Sequence, residues 1–244
     1  MPPTFAELET SWNESFSEAK DAIGQIQNFF TQIDNETSMA VEILSSAVKV
    51  GVKRLGELKD DLVAMYNEAE PHQLPVISLM KQSFAWLDNV KSPISNLSPQ
   101  VTIWRDQNLS SWGGGAGRAY LLEKTTQQKA AIDDVSKNAD KISEWLMDIA
   151  QRNVEYMLEF VDKLGVIVGH YAGAAAAAAT LVGIAEAIGD AADAVAAVFA
   201  EMVDQLTDVA SRFMLAVSDE RKIDSITTDN TALPGGKWPE SVVG

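Results

Sequence analysis

Apolar residues recur at steps of three and four along most of the chain, which is the period of an α-helix with one buried face. The first such stripe covers Phe5–Ile33 and resumes over Leu44–Met65. The residues between them, Asp34–Ser38, include neither proline nor glycine. The pattern therefore predicts one continuous long helix with room for a kink there. Pro71 and Pro75 resist helical continuation and are expected to end it.

In the middle of the chain, the sequence pattern predicts shorter helices. One is expected over Val76–Val90, Pro93 and Pro99 then bend the path, and another helix leads up to Ser110.

Two further sets of residues at helical spacing follow, mostly apolar, and each is called a seam here. The first consists of Ile132, Val135, Ala139, Ile142, Leu146, Ile149, Asn153, Tyr156 and Phe160. The second consists of Ala185, Ile188, Ala192, Val195, Phe199, Met202, Leu206, Val209, Phe213 and Ala216. No segment alternates like a strand between turn signals. The prediction is an all-α, elongated antiparallel bundle, with one domain over 1–220 and an extended or disordered tail over 221–244.

Charge and composition narrow the functional classes. The chain has 35 acidic and 19 basic residues, a formal net charge of −16, and no cysteine. Such a surface repels phosphate backbones, so nucleic acid is not an expected partner. The first residues, MPPTFAELETSW, have neither a basic nor an apolar signal region, and no Sec signal peptide is predicted.

Known catalytic patterns are not found. The two histidines, His72 and His170, are far apart in sequence and lack metal-site neighbours. The glycines before Arg118 have no Gly-Lys-Ser/Thr sequence and follow no predicted strand, so they match neither phosphate-binding fingerprint. We expect no enzyme activity, no cofactor and no metal.

The sequence SSWGGGAGRAYLL, residues 110–122, joins two predicted helices. Gly113, Gly114 and Gly115 can adopt the positive φ values that a tight reversal between helices requires. Trp112 would then lie half-exposed at the tip of a hairpin. Because tryptophan is favoured in binding hot spots, it is a candidate recognition residue.

Trp112-Gly113-Gly114, with Ala116 and Tyr120 following, resembles the WXG (ESAT-like) substrates of type VII secretion systems. The matching hairpin covers about 76–160. The resemblance implies a non-enzymatic protein, secreted or in the cell envelope, that acts by binding other proteins. The implied partners are the secretion ATPase or apparatus, a helical co-substrate, or another copy of the chain.

The same family carries a Tyr-x-x-x-Asp/Glu export signal. Tyr156 and Tyr171 lack the acidic residue at the fourth position, and the sequence that fits is Tyr66 to Glu70. The predicted recognition residues are therefore Trp112, Gly114, Tyr66 and Glu70, in a composite signal if the end of the first helix packs beside the turn. The alternative is that Tyr66 and Glu70 are ordinary helix residues.

Two other functions remain open from the sequence. Leu164–Ala185 is uncharged and as long as a bilayer span of about 20 residues, which would suit a helical pore-forming protein. Its alanines and glycines equally suit close packing in a water-soluble bundle, which we favour. A cytosolic scaffold or chaperone-like partner of a toxin is the third alternative.

Overall fold

A computed structural model describes residues 4–39, 45–101, 114–180, 183–228, 231–233 and 237. Its α-helices are α1 (Phe5–Met39), α2 (Ser46–Ala69), α3 (Gln73–Trp86), α4 (Ser92–Val101), α5 (Gly114–Ala119), α6 (Thr125–Thr180) and α7 (Ile184–Thr227). A 3-10 turn (Glu70–His72) precedes α3, and π-helical turns, Leu87–Lys91 and Tyr120–Lys124, precede α4 and α6. The described residues include no strand, so the all-α prediction is confirmed.

The residues group into two compact units. The first unit consists of Met1–Ile77 and Gln151–Phe213, and the second of Ser78–Ala150 and Met214–Gly244. Helix α6 therefore supplies residues to both units. The predicted boundary of the bundle domain at residue 220 stays a prediction.

The predicted single helix at the start of the chain is wrong, because α1 and α2 are two helices that run in opposite directions. Ser45, just before α2, has an extended backbone with φ −64° and ψ 155°. Trp12, near the start of α1, bonds to Gln73, beyond the end of α2. Asp34–Ser38, where a kink was expected, is helical. Folding the chain back lets the two halves of the apolar stripe bury each other.

Helix α2 also contacts α6 and α7 within the first unit. The Tyr171 hydroxyl on α6 donates a hydrogen bond to the Leu55 carbonyl oxygen at 2.5 Å. Arg54 forms an ion pair with Asp193 on α7. The largest fully buried side chains of this unit are Ile26, Ile33, Val48, Leu55, Leu62, Met157, Leu164, Ile167, Tyr171, Ile188 and Met202. The core of the first unit therefore combines residues from α1, α2, α6 and α7.

The uncharged run lies largely on α6, with two distinct faces. One face carries Leu164, Ile167 and Tyr171, which are buried. The opposite face carries Gly165, Gly169 and Gly173, which are exposed. Among the described helices, none contains a stretch that is both long and apolar enough to cross a bilayer.

The proline-rich segments behave only partly as predicted. Helix α2 ends at Ala69, in agreement with the expected stop at Pro71. Helix α3, however, already begins at Gln73 because a proline such as Pro75 is tolerated in a first helical turn. Ahead of Pro93, the Ser92 N–H donates to the Leu87 carbonyl, five residues back. This π-helical turn changes the helical register immediately before the proline and lets α4 follow directly.

Helices α3 and α4 pack against the first part of α6 in the second unit. The Ser83 hydroxyl donates to the Ser143 carbonyl at 2.8 Å, and the Ser143 hydroxyl donates to the Ser83 carbonyl at 2.9 Å. Ser98 donates to the Asp133 carboxylate at 2.5 Å. Small hydroxyl side chains thus allow these helices to approach closely while every buried donor of the pair is used.

The last helix is longer than predicted. Helix α7 extends to Thr227, so the expectation of an extended or disordered tail is wrong for 221–227. The sequence there has no apolar seam, but it contains no proline or glycine to stop a helix. Along its predicted seam Ala192 is buried, whereas Ala185, beside the start of the helix, is exposed.

Candidate functional site

Tyr66 and Glu70 lie one turn apart at the end of α2, as their spacing predicts. The Glu70 N–H donates to the Tyr66 carbonyl, closing the last turn of the helix. The two side chains have different surroundings: Tyr66 is only 7% exposed, whereas Glu70 is exposed. Of this predicted pair, only Glu70 offers its side chain freely to a partner.

Gln73 links this helix end to α1 through three hydrogen bonds. Its N–H donates to the Glu70 carbonyl, which closes the 3-10 turn that begins at Glu70. Its carbonyl accepts the indole N–H of Trp12 at 3.0 Å, and its side-chain amide donates to the Asn13 side chain at 2.9 Å. The path from Tyr66 through Glu70 and Gln73 to α1 is therefore continuous.

Trp12 is itself fixed by packing. Its side chain is buried, and its ring meets the Phe16 ring edge-on, with the centroids 5.0 Å apart. Trp12 belongs to the apolar stripe that predicts the first helix, but nothing in the sequence indicates a partner for its N–H. A buried indole is expected to find a hydrogen-bond acceptor, but the acceptor here is 61 residues away in the chain.

Burial governs the titration of the tyrosines near this end of α2. It raises the pKa of Tyr66, and the Glu70 carboxylate raises that pKa further. On α6, burial raises the pKa of Tyr156 to about 12, with a smaller effect of the Glu68 charge. Both hydroxyls are therefore protonated at neutral pH, and neither is suited to act as a base.

The second predicted element is described only in part. Gly114 has φ 89°, a backbone conformation that glycine adopts readily, and it begins α5. Gly115 is already helical. Trp112 and Gly113 lie outside the described residues. Whether Trp112 lies close to Tyr66 and Glu70 stays a prediction, as does the hairpin around it.

No group of three or more metal-ligating side chains occurs among the described residues. His170 is half-buried on α6 and is not part of such a group among the described residues.

Comparison of the chain with protein-family models, curated proteins and solved structures finds no match.

Proposed function

We propose that this protein is a non-enzymatic helical substrate of a type VII secretion system that acts by binding other proteins, at the secretion machinery or in the cell envelope. The observation that carries the proposal is the end of α2. There an exposed Glu70 follows a buried Tyr66 by one helical turn, in the Tyr-x-x-x-acid spacing of the export signal.

The turn at 112–114 is the second part of the proposed signal. The positive φ of Gly114 supports a sharp change of chain direction there, and glycine is the residue that makes such a change cheaply. Trp112 would supply the large side chain that a partner binds.

We also propose an elongated antiparallel bundle. The opposed directions of α1 and α2 and the 56-residue length of α6 support this shape. A helix rises about 1.5 Å per residue, so α6 alone would span roughly 80 Å if straight. Sedimentation should give a frictional ratio well above that of a sphere, and a compact value would overturn the proposed shape.

Export from a host that carries the type VII apparatus tests the function. Trp112→Ala and Glu70→Gln should each block export without unfolding the protein. Glu68→Gln is the matched control, because Glu68 is an exposed acidic residue in the same turn but outside the motif. Circular dichroism and thermal unfolding establish that each variant is folded.

The outcomes separate the two halves of the signal. If a folded Trp112→Ala protein is exported normally, the turn has no role beyond reversing the chain. If Glu70→Gln is exported to the same extent as the control Glu68→Gln, then Tyr66 and Glu70 are ordinary helix residues and do not form an export signal.

A further inference from the structure

We infer that Trp12 and Asn13 are positioning residues for Glu70, and that Glu70, rather than Tyr66, is the residue of this motif that a partner contacts. The inference rests on the proposed function. It arises from the hydrogen bonds that join the end of α2 to α1, where the sequence motif itself has no residue.

The end of α2 needs outside support because Pro71 interrupts its hydrogen bonding. Proline has no N–H, so the Asn67 carbonyl loses the donor that a continuing helix would supply. A short 3-10 turn over Glu70–His72 follows the end of the helix. Such turns have poorer hydrogen-bond geometry than α-helix, and helix ends fray.

Gln73 supplies that support at both its backbone and its side chain. Its N–H holds the Glu70 carbonyl, and its carbonyl and side-chain amide are held by Trp12 and Asn13. Because Trp12 is 3% exposed and packed on Phe16, its N–H is a fixed point. The backbone that carries Glu70 is thereby tied to the interior of the first unit.

The burial of Tyr66 assigns the roles within the motif. A side chain that is 7% exposed presents little surface to a partner, whereas the Glu70 carboxylate is exposed. The partner must then offer a cationic or N–H donor group to Glu70. Tyr66 contributes by packing, so Tyr66→Phe should be exported like the unaltered protein.

Three substitutions test the positioning role. Trp12→Phe keeps an aromatic ring and removes the indole donor, and Asn13→Ala removes the side-chain acceptor. Asn13→Asp retains an oxygen acceptor and should restore the unaltered behaviour. Trp145→Phe is the matched control, because the indole N–H of Trp145 has no hydrogen-bond partner among the described residues.

Amide hydrogen exchange gives the first readout. In Trp12→Phe and Asn13→Ala, the amides of residues 70 and 72–74 should exchange roughly 3- to 10-fold faster, as expected for the loss of one hydrogen bond near a fraying end. Amides in the middle of α6 should be unchanged. Trp145→Phe and Asn13→Asp should leave 70–74 unchanged. Equal exchange at 70–74 in all five proteins, the unaltered chain included, would overturn the inference.

Export gives the second readout and separates the inference from the proposed function. We expect export of Trp12→Phe and Asn13→Ala to fall towards that of Glu70→Gln. If Glu70→Gln is blocked while both variants are exported normally despite faster exchange, the positioning role is wrong and the proposed function stands. Loss of export in Tyr66→Phe, with folding intact, would overturn the role given to Glu70. Normal export of Glu70→Gln would remove the proposed signal and this inference together.

Discussion

The glycines of α2 and those on the outer face of α6 have opposite surroundings. A methyl group at Gly51 would meet a methyl group of Ile188 at 2.7 Å, and one at Gly56 would meet the Phe30 ring at 2.9 Å. At Gly165, Gly169 and Gly173 it would meet nothing within 4 Å. Both sets lie inside long helices, where glycine is unfavourable.

The difference shows which glycines the fold itself explains. In α2, glycine permits the close approach of another helix or an aromatic ring, and the contact offsets its poor helix propensity. On the outer face of α6, no close contact offsets the poor helix propensity of Gly165, Gly169 and Gly173. Four variants test whether the surroundings of these two helices hold in solution.

The largest effect should come from replacing Gly165, Gly169 and Gly173 together with alanine. Each change removes the flexibility of an exposed helical glycine without a clash, so the free energy of unfolding should rise by about 2–3 kcal/mol in total. Chemical denaturation measures it. Gly183→Ala is the control: it also has open space, but its φ of 66° should make alanine cost about 1–2 kcal/mol. An unchanged or lower stability of the triple variant would show that this face of α6 is covered in solution.

Local features of the fold could be predicted from the sequence, whereas contacts between distant residues could not. The 3.6-residue period predicts helices nearly everywhere, and Pro71 correctly marks the end of α2, because both signals are local. The reversal between α1 and α2 lacks such a signal: DNETS is helical, and no proline or glycine follows before Ser45. The bond from Trp12 to Gln73 depends on that reversal, so the support of Glu70 could not be predicted either.

Gly51→Ala should be the next largest change, with the opposite sign. Ile188 is fully buried and β-branched, so its methyl group cannot move aside easily. Overpacking costs about 1–3 kcal/mol, and the gain of about 1 kcal/mol in helix propensity offsets part of it, which leaves a net loss. In an Ile188→Ala background the same change should be neutral or stabilising. A loss of the same size in both backgrounds would mean that the contact with Ile188 is not its cause.

Tyr171→Phe tests the inner face of α6 at its contact with α2. It removes the hydroxyl that donates to the Leu55 carbonyl and keeps the buried ring. Because Leu55 lies within α2, its carbonyl keeps a helical donor, and the free energy of unfolding should fall by only about 1 kcal/mol. Denaturation by urea measures the change. A loss above about 3 kcal/mol would indicate that further groups depend on this hydroxyl.

Gly56→Ala should have the smallest effect on the free energy of unfolding. It tests whether the burial of the neighbouring side chain decides the cost of a close contact. The nearest atom is the tip of the Phe30 ring. Because that ring is only half-buried, with the Lys59 ammonium 5.0 Å from its centre, we expect it to tilt aside more readily than a fully buried side chain. The cost of moving the ring and the gain in helix propensity should nearly cancel, leaving the free energy of unfolding within about 0.5 kcal/mol of the unaltered protein. Phe30→Leu is the background that checks this, because the smaller side chain should let alanine stabilise by up to about 1 kcal/mol. If Gly56→Ala destabilises as much as Gly51→Ala, the Phe30 ring is held as rigidly as Ile188, and burial of the neighbour does not decide the cost of a close contact.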